Sequence, residues 1–179
     1  TTSLIAAFDV AKGNIPHQRI QPTRTENDFA AFIKETVNLF AAEDEIVFLA
    51  DQLNTHKSEA LVVYIAELIK FDGCLGEKGR SGILKNMASR KAFLENTDHR
   101  VRFAFTPKHC SWLNPIENWF AKLQRHAIKN GNFSCVKELE DKIKDYIEFY
   151  NCCLVKPLNW KFKGFLKGKQ LHNTKVSKT

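Results

Sequence analysis

The first apolar positions follow the alternation of an extended chain. LIAAFDV at 4–10 is followed by the turn triplet Lys12-Gly13-Asn14 and then by IPHQRI at 15–20, which predicts a β-hairpin entering a sheet. Over 26–41 the spacing changes. Phe29, Phe32, Ile33, Val37 and Phe40 recur at helical intervals, with Thr25 as N-cap and Glu26 and Asp28 in the first turn, where they oppose the positive helix end. EIVFLAD at 45–51 is a nearly continuous apolar run ending in an acid, as expected of a strand covered on both faces with Asp51 at its carboxyl edge. Helical spacing returns from Ser58 to Lys70 through Leu61, Val62, Ile65, Leu68 and Ile69, and VRFAF at 101–105 reads as another strand. Strand, helix, strand in that order predicts a βαβ unit with a parallel pair.

Residues 71–99 are rich in glycine and charge but carry Ile83, Leu84, Met87, Phe93 and Leu94, enough for a short helix or two, and are read as an insertion before the last strand. After that strand comes the loop TPKHCSW. Asn114-Pro115 is then a strong helix start, since Asn caps and Pro suits the first helical position; this helix should run to about 129. Val136, Leu139, Ile143, Ile147 and Tyr150 support a last helix from about 134 to 150. The class is α/β. We expect a catalytic or binding domain over 1–150 and a separate basic segment over 151–179.

Composition sharpens the second half of that division. The chain has 179 residues, 44% hydrophobic, which suits one domain with a real core. Its formal charge is +7, and after Glu148 there is no acid, so that seven lysines from Lys156 to Lys178 leave residues 1–148 formally neutral. A lysine-rich segment interleaved with Trp160, Phe162 and Phe165 suits a polyanion, because lysines neutralise phosphates and rings stack on bases. The bland alternative is a solvated tail. The five cysteines show no paired CxxC motif, so reduced thiols are expected and neither a disulfide framework nor a zinc ribbon is suggested. Apolar runs fall short of the roughly 20 residues of a membrane helix, and we expect a soluble, cytoplasmic protein.

Two acids stand out by position. Asp51 ends a strand and opens a polar run at the edge of the sheet, where ligands of open α/β folds gather; on position alone a helix or turn cap is the plainer explanation, because Asp commonly caps turns. Glu117 falls in the first turn of the helix starting at Asn114, on the border of a stripe made by Ile116, Trp119, Phe120 and Leu123. Favourable placement near the helix dipole is its plain reading.

FLADQLNTHKSEAL and TPKHCSWLNPIENWFAKLQR closely resemble the second and third acidic motifs of insertion-sequence transposases in the mariner-like DDE superfamily. TTSLIAAFDVAKGNI resembles that family's second and third strands, and FSCVKELEDKIKDYIEFYN through KPLNWKFKG its carboxyl-terminal end. The resemblance implies an RNase H-like fold, a mixed sheet flanked by helices. It also implies DNA strand cleavage and strand transfer with two Mg²⁺ or Mn²⁺ ions, Asp51 and Glu117 being the second and third metal-binding catalytic carboxylates. Hard cations require oxygen ligands, and paired ions serve the entering and leaving oxygens of an in-line phosphoryl transfer. Asn54, His56, Lys108, His109 and Asn114 flank the acids as candidate DNA contacts, and Lys161 and Lys163 extend the basic segment. Partners implied are transposon ends, target DNA and a second copy of the chain.

Two departures from the family pattern matter. Sixty-five residues separate Asp51 from Glu117, more than in the family's shorter members, because of 71–99. The first catalytic Asp belongs, in the family, to a first central strand expected upstream of Thr1, so the fold is expected to be truncated there and inactive by itself. Asp9 corresponds to a second-strand acid and is expected to serve the hairpin turn. The competing readings are a non-catalytic nucleic-acid-binding remnant, another RNase H-like nuclease, and, weakly, a zinc or thiol enzyme using His109-Cys110 or Cys152-Cys153.

Overall fold

The structure is a computed structural model that describes residues 1–108 and 110–158. The hairpin is formed by β1, Ser3–Asp9, and β2, Asn14–Gln21, antiparallel with Ser3 opposite Gln21 and Ala7 opposite His17. Its turn is closed by Asp9, whose Oδ1 accepts from the Ala11 and Lys12 amides at 2.9 and 3.0 Å. Gly13 has φ of +80°, and a Cβ there would overlap the Lys156 carbonyl, so both backbone hand and close approach demand glycine.

Helix α1, Glu26–Val37, starts in a capping box: the Thr25 hydroxyl accepts from the Asp28 amide and the Asp28 carboxylate accepts from the Thr25 amide. These bonds, the Thr25 amide first, hold the Asp28 carboxyl down at about 2. The helix ends earlier than its apolar spacing suggests, and Phe40 packs against the core from beyond it. Strand β3, Ile46–Ala50, helix α2, Glu59–Leu68, and strand β4, Val101–Phe105, form the expected unit, with β3 and β4 parallel and Ala50 opposite Phe105. The insertion contributes a 3₁₀ turn, Ile83–Lys85, and helix α3, Met87–Leu94, capped by Asn86. Helix α4, Pro115–Leu123, passes into a π-helical turn, Gln124–Ile128, and α5, Val136–Phe149, into another, Tyr150–Leu154. No described helix is long and apolar enough to cross a membrane.

Two cores lie on opposite faces of β1. One gathers Phe32 and Ile33 of α1, Leu61, Val62 and Ile65 of α2, Phe93 and Leu94 of α3, and Val101 and Phe103 of β4. The other gathers Ile15 with Trp119 and Leu123 of α4 and Ile143, Ile147 and Tyr150. The alternation in β1 explains how one strand serves both: Ile5 and Ala7 face the first core, Leu4, Ala6 and Phe8 the second. Leu61, Val62 and Ile65 are fully buried, each side chain contributing roughly 1.5–3 kcal/mol.

The two pairs do not join into one mixed sheet. Among the described residues β1 pairs with β2 and β3 with β4, giving two two-stranded sheets flanked by helices. Between them lies a cavity of about 1220 Å³, lined by the consecutive residues Leu4 to Ala11 on one side and Asp44 to His56 on the other. Phe29, Phe32 and Ile33 of α1 and Ile116, Glu117 and Phe120 of α4 also line it. This corrects the expectation that β3 is covered on both faces: Ile46 and Ala50 are buried, but Val47 is 52% exposed. Both faces of β3 are apolar because the second faces this cavity.

The free side of the hairpin is held by the residues that follow α5. Asn151 accepts from the Ile15 amide and donates to the Ile15 carbonyl, both at 2.9 Å, and the Tyr150 hydroxyl donates to the Gly13 carbonyl at 3.1 Å. Asn151 thus acts as a side-chain substitute for a neighbouring strand. Asn151→Ala is expected to lower folding stability by about 1–3 kcal/mol by leaving both Ile15 groups unpaired; unchanged denaturant unfolding would contradict this.

Candidate active site

Strand β3 delivers Asp51 to the cavity directly after its last paired residue. The chain turns there because the Leu53 amide donates to Asp51 Oδ1 at 3.0 Å, the local bond that short acidic side chains form in turns. A 3₁₀ turn, Asn54–Lys57, follows, and Ser58, fully buried, caps α2 by accepting from the Leu61 amide.

His56 returns to Asp51 across that turn. Its Nδ1 lies 2.8 Å from Asp51 Oδ1, while its ring packs on Phe29 with centroids 4.3 Å apart. The separation is that of a hydrogen bond, but Nδ1 has no well-aligned partner, so the contact is a close electrostatic one. Both contacts of the carboxylate fall on Oδ1, which leaves Oδ2 for a ligand.

Gln52 and Lys57 tie the same turn to β4. The Lys57 ammonium donates to the Gln52 carbonyl and to Gln52 Oε1 at 2.9 and 3.0 Å, and Gln52 Nε2 donates to the Thr106 carbonyl at 2.6 Å. Asp51 therefore sits on a loop fixed at both flanks.

Glu117 enters from α4. Asn114 caps this helix by accepting from the Ile116 amide at 3.4 Å, Pro115 occupies its first position, and Glu117 lies in its first turn. Trp119 and Leu123 are buried to 1% and 3% exposure, whereas Glu117 is exposed. The helix is anchored by its apolar stripe while the carboxylate stays accessible, and the positive helix end favours its charge.

The sequence candidates divide accordingly. Asp51, Glu117, Asn54, His56 and Asn114 line one cavity. Lys108 is exposed in the turn after β4. His109, Lys161 and Lys163 lie outside the described residues. Asp9 also lines the cavity, with its Oδ1 engaged in the hairpin turn. All five cysteines are unpaired, which leaves Cys152 and Cys153 as exposed free thiols.

No group of three or more His, Cys, Asp or Glu side chains able to share an ion occurs among the described residues. The donor set nonetheless fits a hard divalent cation in part: the Asp51 and Glu117 carboxylates line one cavity, and neither of these two forms an ion pair with lysine or arginine among the described residues. Sequence reasoning missed Gln52, Lys57 and Lys91 as neighbours of this site. A lysine directly after a site loop was the available signal for Lys57; for Lys91, supplied by the insertion, there was none.

A βαβ unit whose first strand ends on one carboxylate, with a helix that opens on a second, has the layout of an acid-based nuclease domain. Residues 1–140 match the family described as DDE superfamily endonuclease, and the chain belongs to that family. Comparison with curated proteins and with solved structures gives no match.

Burial holds the His56 imidazole below its ordinary value of 6.5, with Asp51 pulling in the opposite direction. The unfolded chain thus takes up a proton before the folded one, so this contribution to stability is complete above pH 6.5 and declines as pH falls below it. In chelator, unfolding free energy should drop between about pH 7.5 and about pH 5.5, and drop less in His56→Gln. Because burial also lowers the His99 value, the difference between the two proteins isolates His56; parallel pH profiles would refute the assignment.

Proposed function

We propose that this chain is the greater part of the catalytic domain of an insertion-sequence transposase of the mariner-like kind. In this reading Asp51 and Glu117 are two of three carboxylates that hold Mg²⁺ or Mn²⁺, and DNA is the substrate. The observation that carries it is the shared cavity, onto which both acids open from separately anchored elements. The matched family supports a nuclease of this class.

The third carboxylate is assigned to a strand seated between β1 and β3. The supporting geometry is the unpaired edge of each strand along one apolar cavity. A strand running parallel to β3 would bring its carboxyl end beside Asp51, as neighbouring parallel strands do. In this reading Asp51 and Glu117 supply two of the three carboxylates, and cleavage requires the strand that carries the third.

Asp51 and Glu117 would hold the ions, which would supply activation of the attacking hydroxyl and stabilisation of the leaving oxygen of a phosphodiester. The chain's own residues prepare the site. His56 fixes Asp51, Asn114 fixes the start of the helix bearing Glu117, and Asn54 and Lys108 stand where phosphate oxygens of DNA would pass. His109 and the basic segment with Lys161 and Lys163 extend the DNA contact. A homodimer would bring two DNA ends together.

Plasmid nicking with Mg²⁺ or Mn²⁺ tests this reading. The chain alone is expected to show none, and the chain carrying an added strand that ends in Asp is expected to nick. Asp51→Ala or Glu117→Ala should then lower the rate by on the order of 10³-fold. Robust nicking by the chain alone that disappears in Asp51→Ala would show that its third ligand comes from elsewhere. Transfer of a DNA 3′-OH end separates a transposase from another RNase H-like nuclease, and salt-dependent binding without any cleavage would indicate a non-catalytic nucleic-acid-binding protein.

A further inference from the structure

The carboxyl end of the β3–β4 pair gathers cations from three separate segments. Lys57, only 7% exposed, places its ammonium 5.7 Å from the centroid of the Phe105 ring. Lys91, on the insertion helix α3, places its own 5.8 Å from the same ring. Phe105 ends β4 and is the register partner of Ala50, one residue before Asp51. Lys108, three residues beyond Phe105, adds its field at Lys57.

The countercharges are fewer. Glu95 lies 3.6 Å from Lys91, and Asp51 acts on Lys57. Burial first, and then the Lys91 charge, hold the Lys57 ammonium below the usual lysine range, so the cluster works against itself in the free protein. Cations brought together in this way are relieved by an anion with several oxygens. The Lys57 ammonium is already held by Gln52, so it sets the local field from within. The Lys91 side chain, 35% exposed, and exposed Lys108 remain for contact.

We infer that Lys91, with Lys57 and Lys108, forms a phosphate-binding ledge beside Asp51, by which the 71–99 insertion grips the sugar-phosphate backbone of the DNA strand entering the acidic site. The inference rests on the nuclease reading and gives the insertion a role in it. The contact is to backbone and independent of base sequence.

Binding of a fluorescent DNA duplex to the full chain, measured by anisotropy over a salt series in chelator, tests the ledge without requiring catalysis. Removing one phosphate contact in Lys91→Gln should make the slope of log affinity against log salt shallower by about 0.9, so that the affinity lost between about 50 and about 200 mM salt shrinks about 3.5-fold. Lys108→Gln should act likewise, which keeps the test available if Lys91→Gln fails to fold. Lys91→Arg should retain the slope, as should Lys137→Gln on α5. Wild-type slopes in both Lys91→Gln and Lys108→Gln overturn the ledge and leave the nuclease reading standing. Absence of salt-dependent DNA binding by the unaltered chain overturns both.

Discussion

Everything in this structure is arranged around two strand edges that face each other without meeting. Each edge presents a row of amides and carbonyls, which require partners when they are taken out of water. The hairpin meets this requirement on its other side through β2 and Asn151, and β3 meets it through β4. The remaining edges border an apolar cavity instead. Burying those backbone groups unpaired would cost roughly 1–3 kcal/mol each, so the opening is stable only while water or a strand satisfies them. The two helical cores, one mainly against β3 and β4 and the other against the hairpin, keep the opening from collapsing.

This constraint also positions the acids. Asp51 follows immediately after β3, and Glu117 lies in the first turn of the helix that crosses the other side of the cavity. Their positions are set by elements that fold for independent reasons, one by an apolar strand and the other by the Asn114-Pro115 start and the buried Trp119. The loop after Asp51 is held still by His56 against Phe29 and by Lys57 against Gln52. A carboxylate that is to bind a cation benefits from such prior ordering, since less freedom is lost on binding.

Most elements were legible in the chain because each carried a local signal. Thr25 with Asp28, Ser58 with an apolar helix face, and Asn114 with Pro115 marked helix starts that the structure reproduces. The parallel pair followed from strand, helix, strand order. What was not legible depends on contacts distant in sequence. The apolar character of Val47 and Leu49 resembles that of a strand covered on both faces, and only the tertiary arrangement reveals that this face borders a cavity. Asn151 substituting for a strand and Lys91 reaching Phe105 from the insertion left no pattern in spacing or composition.

The central claim is that Asp51 and Glu117 belong to one metal site. Anomalous scattering from crystals, grown with Mn²⁺, of the chain carrying the added strand that ends in Asp tests it most directly. The account predicts a Mn²⁺ peak within about 2.0–2.3 Å of carboxylate oxygens of both Asp51 and Glu117, in line with oxygen-ligand distances for small divalent ions. A peak bound by only one of them, or by neither, would contradict it.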